Sequence, residues 1–124
     1  MKKKVQKESR SHETCTKAIL PVRDALDVLR GKWKLQILIS LSFGNKRFGQ
    51  MASEIPNISD RMLSKELKEL EINQLISRTV HDTTPVTVEY GMTPYGHSLE
   101  KVIQALHSWG VRHRKRIIGK GGKS

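Results

Sequence analysis

The stretch Ile58-Ser59-Asp60-Arg61-Met62-Leu63-Ser64-Lys65-Glu66-Leu67-Lys68-Glu69-Leu70-Glu71-Ile72-Asn73 carries two opposed stripes. On a helix turning about 100° per residue, Leu63, Leu67 and Leu70 fall on one line. Arg61, Lys65 and Lys68 share the same spacing and lie roughly 160–180° away from the leucines. Such a helix clamps to a core through one side and offers cations through the other, a geometry that suits a major groove. Most basic stripes are only solvated faces, so the rest of the chain has to decide.

The flanking sequence reads as more helices, then a hairpin. Upstream, Phe48, Met51, Ala52 and Ile55 repeat at helical spacing, Pro56 ends the run, and Asn57-Ile58 makes a turn. Ser59 is placed to cap the helix that follows. Two amphipathic helices joined by so short a turn make a helix-turn-helix unit. Further upstream, Lys32 to Phe43 is apolar on nearly every side, which places it at the centre of the fold, and Gly44 stops it. Before it, Pro21 fits a first helical turn, Val22, Ala25, Leu26 and Leu29 keep the period, and Gly31 can end that helix. Downstream the period changes. Leu75 to Val80 and Val86 to Met92 read as strands, with Val86, Val88, Tyr90 and Met92 alternating and His81-Asp82-Thr83-Thr84-Pro85 as the loop. A hairpin after such a helix is the layout of a winged helix. Thr93-Pro94 then supplies a cap and first-turn proline for a last helix with the apolar set Leu99, Val102, Ile103, Leu106 and Trp109. That stripe either caps the core or faces a second subunit. The second is preferred, because a small winged helix needs little more cover and a tryptophan suits an interface.

The 124 residues suit one domain. The organisation expected is a flexible basic arm over residues 1–15, a winged domain over 16–118 with a dimerisation helix at about 94–118, and a basic tail over 119–124. The net charge of +11 is uneven. Residues 1–10 hold five cations against one acid and residues 112–124 hold six against none, which leaves the body nearly neutral. Basic ends favour polyanions without sequence choice. No run approaches the ~18 apolar residues needed to cross a bilayer, and no apolar stretch follows Met1-Lys2-Lys3-Lys4, so no membrane partner is expected and the protein reads as cytoplasmic. A single cysteine, Cys15, excludes an internal disulfide.

The ordered set Gly31-Lys32-Trp33-Lys34, Ile37-Leu38, Gly44, Arg47-Phe48, Ile58-Ser59, Met62-Leu63 and Leu67-Lys68-Glu69-Leu70-Glu71 resembles the HxlR-type winged helix-turn-helix regulators, relatives of the MarR-type repressors. The resemblance continues through Leu75-Ile76-Ser77-Arg78, Val88-Glu89-Tyr90, Met92-Thr93, Gly96 and Trp109-Gly110, and covers about residues 19–113. It implies a mainly α fold with a small antiparallel hairpin (α+β), a homodimer joined through N- and C-terminal helices, the fourth helix in a major groove and the wing beside the backbone. It further implies a local repressor, less often an activator, answering an oxidant or small-molecule effector. The chain departs from the family in three places. Leu20-Pro21 stands where a Cys-Pro is common, the wing lacks an arginine before Val88-Glu89-Tyr90, and Gln74 stands where a glycine is usual.

The residues then take roles. Arg61, near the start of the fourth helix, can bind guanine O6 and N7 through two hydrogen bonds, and Asp60 can accept from a cytosine amine. Lys65 and Lys68 suit phosphates, with Ser59 and Ser64 as further contacts. Lys46 and Arg47 stand where the third helix begins and can hold a phosphate there. Lys32 and Lys34 can act the same way, though either pair equally suits plain surface charge. Thr83, Thr84 and Thr87 of the wing can meet phosphates or sugars. Cys15, with Lys17 near and Glu13 opposing, is either a redox thiol able to form an intersubunit disulfide or an inert side chain. The five histidines show no metal-ligand spacing, Gly122-Lys123-Ser124 lacks the earlier glycine of a phosphate loop, and no catalytic grouping is present. The expected protein is thus a non-enzymatic, sequence-specific binder of double-stranded DNA with no cofactor. The rivals are a non-specific architectural nucleic-acid binder driven by the basic ends, and a protein-interaction module that reuses the winged helix.

Overall fold

The computed structural model describes the backbone of residues 2–122 and the side chains of residues 11–119. The chain divides after Gly31 into two units. The first is one long helix, α1 (Lys2–Val28), extended by a bond from the Leu29 N–H to the Ala25 carbonyl at 3.0 Å and followed by Gly31 at φ +88°. Pro21 therefore lies inside a helix and not in its first turn. The ring removes the N–H that the Lys17 carbonyl would accept, and the helix gives up that bond without ending. Residues 2–15, expected as a separate arm, are the first half of this helix, and the side chains of residues 2–10 lie outside the described residues.

The second unit begins with α2 (Lys34–Ser42), shorter than the sequence suggested because Trp33 offers no capping acceptor and residues 31–33 bend. It packs against α3 (Phe48–Glu54), α4 (Asp60–Ile72), β2 (Thr87–Met92) and α6 (Glu100–Gly122). Ile37, Leu38 and Leu41 of α2 are buried with Met51, Ile55, Leu63, Leu67, Leu70, Leu75 and Ile76. This is the core, with α2 central to it as its all-round apolarity requires. Between α3 and α4 the chain turns through Asn57 at φ 65°, a left-handed conformation that asparagine tolerates.

Strand β1 (Ile76–His81) pairs antiparallel with β2, in register from Ile76 opposite Met92 to His81 opposite Thr87. Strand β1 sits one residue later than its apolar pattern implies, and β2 starts one residue later but ends at Met92 as expected. Only Ile76 of β1 and Gly91 of β2 are buried, because a two-stranded wing projecting past the core has solvent on both faces. Lys46 adds a one-residue bridge to Tyr90, N–H to carbonyl in both directions at 2.9 and 2.8 Å. The expected single last helix is two. Thr93 caps α5 (Pro94–His97) by accepting from the Gly96 N–H at 2.9 Å. Tighter bonds from Ser98 to Tyr95 and from Leu99 to Gly96 then separate α5 from α6. Gly96 is required there, since a Cβ would overlap the Leu75 carbonyl oxygen. Helix α6 continues to Gly122, through most of the stretch expected as a tail, and Lys123 and Ser124 lie outside the described residues.

Gln74 follows α4 at φ 64°, in the region glycine occupies without strain. A left-handed residue bearing a Cβ costs about 1–2 kcal/mol, whereas glycine costs roughly 0.5–1 kcal/mol in chain entropy. Gln74→Gly is therefore expected to stabilise the protein by about 0.5–1 kcal/mol, read as a higher urea midpoint at unchanged slope. A lower midpoint would mean that the Gln74 side chain contributes more than its backbone costs.

Candidate nucleic-acid interface

Helix α4 starts where the chemistry says it should. The Ser59 hydroxyl accepts from the Met62 N–H at 3.1 Å, and the Ser59 carbonyl accepts from the Leu63 N–H at 2.9 Å. Leu63, Leu67 and Leu70 are buried to within 2% of complete, which fixes the rotation of the helix about its axis. Asp60, Arg61, Ser64, Lys65 and Lys68 consequently face solvent. Met62, beside this seam, is half-buried. Among the described residues, no ion pair joins Arg61 or Lys68 to a carboxylate of the chain.

Other expected contacts are engaged within the protein. The Lys46 ammonium sits 2.5 Å from Glu54 Oε1 and over the Phe43 ring, so its charge is largely spent internally. Arg47 is exposed, but its N–H at the start of α3 already donates to the Gln50 side chain at 2.8 Å. In the wing, the Thr83 hydroxyl donates to the Pro85 carbonyl at 2.7 Å and lies 3.5 Å from the Thr87 hydroxyl. Thr84 is exposed at the tip. Arg78, exposed on β1, is a wing cation that the sequence reading passed over.

Lys34 corrects the reading most. It was grouped with Lys32 as a phosphate contact or surface charge, yet it is 3% exposed. Its ammonium lies 2.5 Å from Glu66 Oε1 and 2.6 Å from Glu69 Oε1, both on α4. Lys65 approaches the other oxygens of the same carboxylates, 3.2 Å from Glu69 Oε2 and 3.7 Å from Glu66 Oε2. Burial pushes the Lys34 ammonium down, and the hydrogen bonds it donates to Glu66 and Glu69 more than reverse this, leaving it above the ordinary lysine value. Lys34, then Lys65, hold the Glu69 carboxyl below the usual carboxylate value, and Lys46, then Ser40, do the same for Glu54. Lys32, by contrast, lies exposed against the Trp33 ring.

Residues 28–117 match the sequence profile of the HxlR-like helix-turn-helix family. The chain belongs to that family. It is 40% identical over 100 residues to the HTH-type transcriptional regulator YtcD of Bacillus subtilis (strain 168), covering 81% of this chain and 79% of that one. It is similarly 41% identical over 97 residues to YdeP of the same organism, covering 78% and 76%. Among solved structures, the redox regulator HypR in its reduced form superposes with a TM-score of 0.75 at 35% identity, covering 80% of this chain and 98% of that one. The reduced form of the transcriptional regulator YodB from B. subtilis superposes at 0.67 with 38% identity, covering 73% and 88%. This HxlR-like protein is accordingly a helix-turn-helix transcriptional regulator with the winged fold of its relatives. No helix among the described residues is long and apolar enough to cross a membrane.

Cys15 is exposed on α1. Lys17 and Glu13 stand two residues away on the same helix, hence roughly 200° round it, and neither flanks the thiol. The candidate dimer stripe is largely open in the single chain. Val102, Leu106 and Trp109 are 46%, 50% and 58% exposed, Leu99 and Ile103 are half-buried, and Trp109 stacks on His113 at 4.8 Å. Ile117, which continues the same line one turn beyond His113, was not anticipated.

The ion pairs set a pH window for stability. A depressed carboxylate stabilises the fold above its ordinary value of 4.5 and loses that contribution as pH falls through its lower folded value. The raised Lys34 stabilises below 10.5 and loses its contribution as pH climbs through its higher folded value. Melting temperature should thus be flat between about pH 5 and 10 and fall on either side. Glu54→Gln combined with Glu69→Gln should flatten the acid limb; an unchanged limb would place acid sensitivity in other carboxylates.

Proposed function

We propose that this protein is a homodimeric repressor that reads an inverted repeat in double-stranded DNA through α4. The observation that carries the reading is the opposition on that helix. Three leucines are fully committed to the core, while Arg61 and Lys68 stand exposed with no carboxylate partner among the described residues. Arg61, one residue into α4, reads a base edge, and Ser59, Asp60 and Ser64 line the same end. Lys65, Lys68 and the exposed Arg47 meet phosphates, with Thr84, Thr87 and Arg78 of the wing alongside. Lys46 is left out of this set because Glu54 already holds its charge.

The dimer reading rests on the stripe of α6. Val102, Leu106, Trp109 and Ile117 leave an apolar line at helical spacing open on one chain, and a two-fold axis would cover it with its own copy. Two α4 helices would then enter successive major grooves about 34 Å apart. An effector of low polarity would fit the groove of about 630 Å³ walled by Ile39, Phe43, Ile55 and Pro56. The test is to recover genomic fragments the protein retains and to compare variants on them. Arg61→Ala should cost about 1–3 kcal/mol on a retained fragment and much less on mixed-sequence DNA. One arm of the repeat should compete far more weakly than the whole. Equal losses on both DNAs would remove Arg61 from base reading and favour the non-specific binder.

The redox regulators among the relatives extend the reading to Cys15, the chain's one thiol. Two such thiols, one from each protomer, would give up two hydrogens to a peroxide, which becomes water, and join as one disulfide. Oxidant should release the wild type from DNA and spare Cys15→Ala. Equal release of both would exclude the thiol.

A further inference from the structure

Taken alone, α4 is a poor polyanion binder. Between Asp60 and Ile72 it carries four acids, Asp60, Glu66, Glu69 and Glu71, against three cations. A helix of net negative charge aimed at phosphates would be repelled. The balance is corrected from another element, since Lys34 of α2 reaches two of those acids from within the core. Its buried position allows it no contact with DNA. Lys65 is 59% exposed at its side chain and does face outward, but it shares the same two carboxylates.

We propose that Lys34 is a positioning residue for DNA binding: by holding Glu66 and Glu69 from inside, it frees Lys65 to leave them for a phosphate. The inference rests on α4 being the DNA-facing helix. When Lys65 swings to phosphate, Glu66 and Glu69 keep Lys34 as their counter-charge and the exchange leaves no bare carboxylate under the backbone. Without Lys34 the two carboxylates have Lys65 as their remaining partner in the cluster, and Lys65 is held back. Without Glu69, Lys65 loses its nearest acid partner and meets phosphate unopposed.

These two changes push binding in opposite directions, and the salt dependence reads them. Each phosphate neutralised contributes about 0.9 to the slope of log affinity against log salt. Fluorescence anisotropy of the full chain on a retained genomic duplex should show Glu69→Gln binding several-fold tighter at low salt, with a slope steeper by up to about 1. Lys34→Met should bind more weakly at ~0.1 M salt with a shallower slope, and because both variants act through the one Lys65–phosphate contact, the two slope shifts should together amount to about 0.9. Lys34→Met with Glu66→Gln and Glu69→Gln should bring the slope back to at least the wild-type value. A purely structural role for Lys34 would lower the active fraction and leave the slope alone. Should Lys34→Met fail to fold, Glu69→Gln decides by itself, since it keeps the Lys34–Glu66 pair. An unchanged or weakened Glu69→Gln complex overturns the proposal, provided Arg61→Ala and Lys68→Ala still reduce affinity. If those two also change nothing, the DNA-facing assignment of α4 has failed instead.

Discussion

The leucine seam of α4 is the constraint on which the rest depends. Leu63, Leu67 and Leu70 leave water almost completely, and each is worth about 1.5–3 kcal/mol in transfer terms. A rotation of α4 by half a turn would expose all three and bury Arg61 and Lys68, a loss far larger than any exposed ion pair, worth about 0–1 kcal/mol, could offset. The seam therefore sets which side chains project, and α2 supplies the surface against which it closes, through Ile37, Leu38 and Leu41. The Ser59 cap fixes where the helix begins, so Arg61 stands at its open end.

The same closure explains why an ion cluster lies at the edge of the core. Glu66 falls between the leucine line and the cation line, too far round to reach bulk water once the seam has closed. A buried carboxylate without a partner costs several kcal/mol, and removing one member of a buried pair costs about 3–5 kcal/mol. Lys34 answers that cost from α2, and Glu69 adds a second contact. The cluster joins the central helix α2 to α4 through charge as well as apolar contact.

Much of this was legible in the residues. Opposed stripes on α4, the Ser59 and Thr93 caps, the hairpin and the centrality of α2 follow from periodicity and turn chemistry, which act locally. What was missed depends on tertiary position. Lys34 reads as surface charge because its burial is set by α4, which comes some thirty residues later in the chain. Lys46 reads as a free cation because its partner Glu54 stands at the far end of a helix whose orientation the spacing does not state. The alternation of β2 overran the start of the strand by one residue, since solvent reaches both faces of the wing and neither face needs to be apolar. Pro21 was taken for a helix start because its ring fits a first turn so well, yet an interior proline removes only one bond from a long helix.

On the proposed reading, affinity and choice would be carried by different parts of this molecule. The positive excess sits in the sequence at residues 1–10 and 112–124, and clustered cations attract any polyanion without sequence choice. The body between is nearly neutral, and α4 by itself is net negative. A DNA-facing helix without positive excess would have a physical consequence. It would add little to binding on random DNA, where only phosphates are met, while under the proposed reading the hydrogen bonds of Arg61 to a matching base edge would remain available on the right site. Specificity is a difference between two affinities, and keeping the non-specific one low on the reading face widens that difference. On the proposed reading of α4 as the DNA-facing helix, its acids would contribute to discrimination for that reason, and the interior cation of α2 would keep them from abolishing binding altogether.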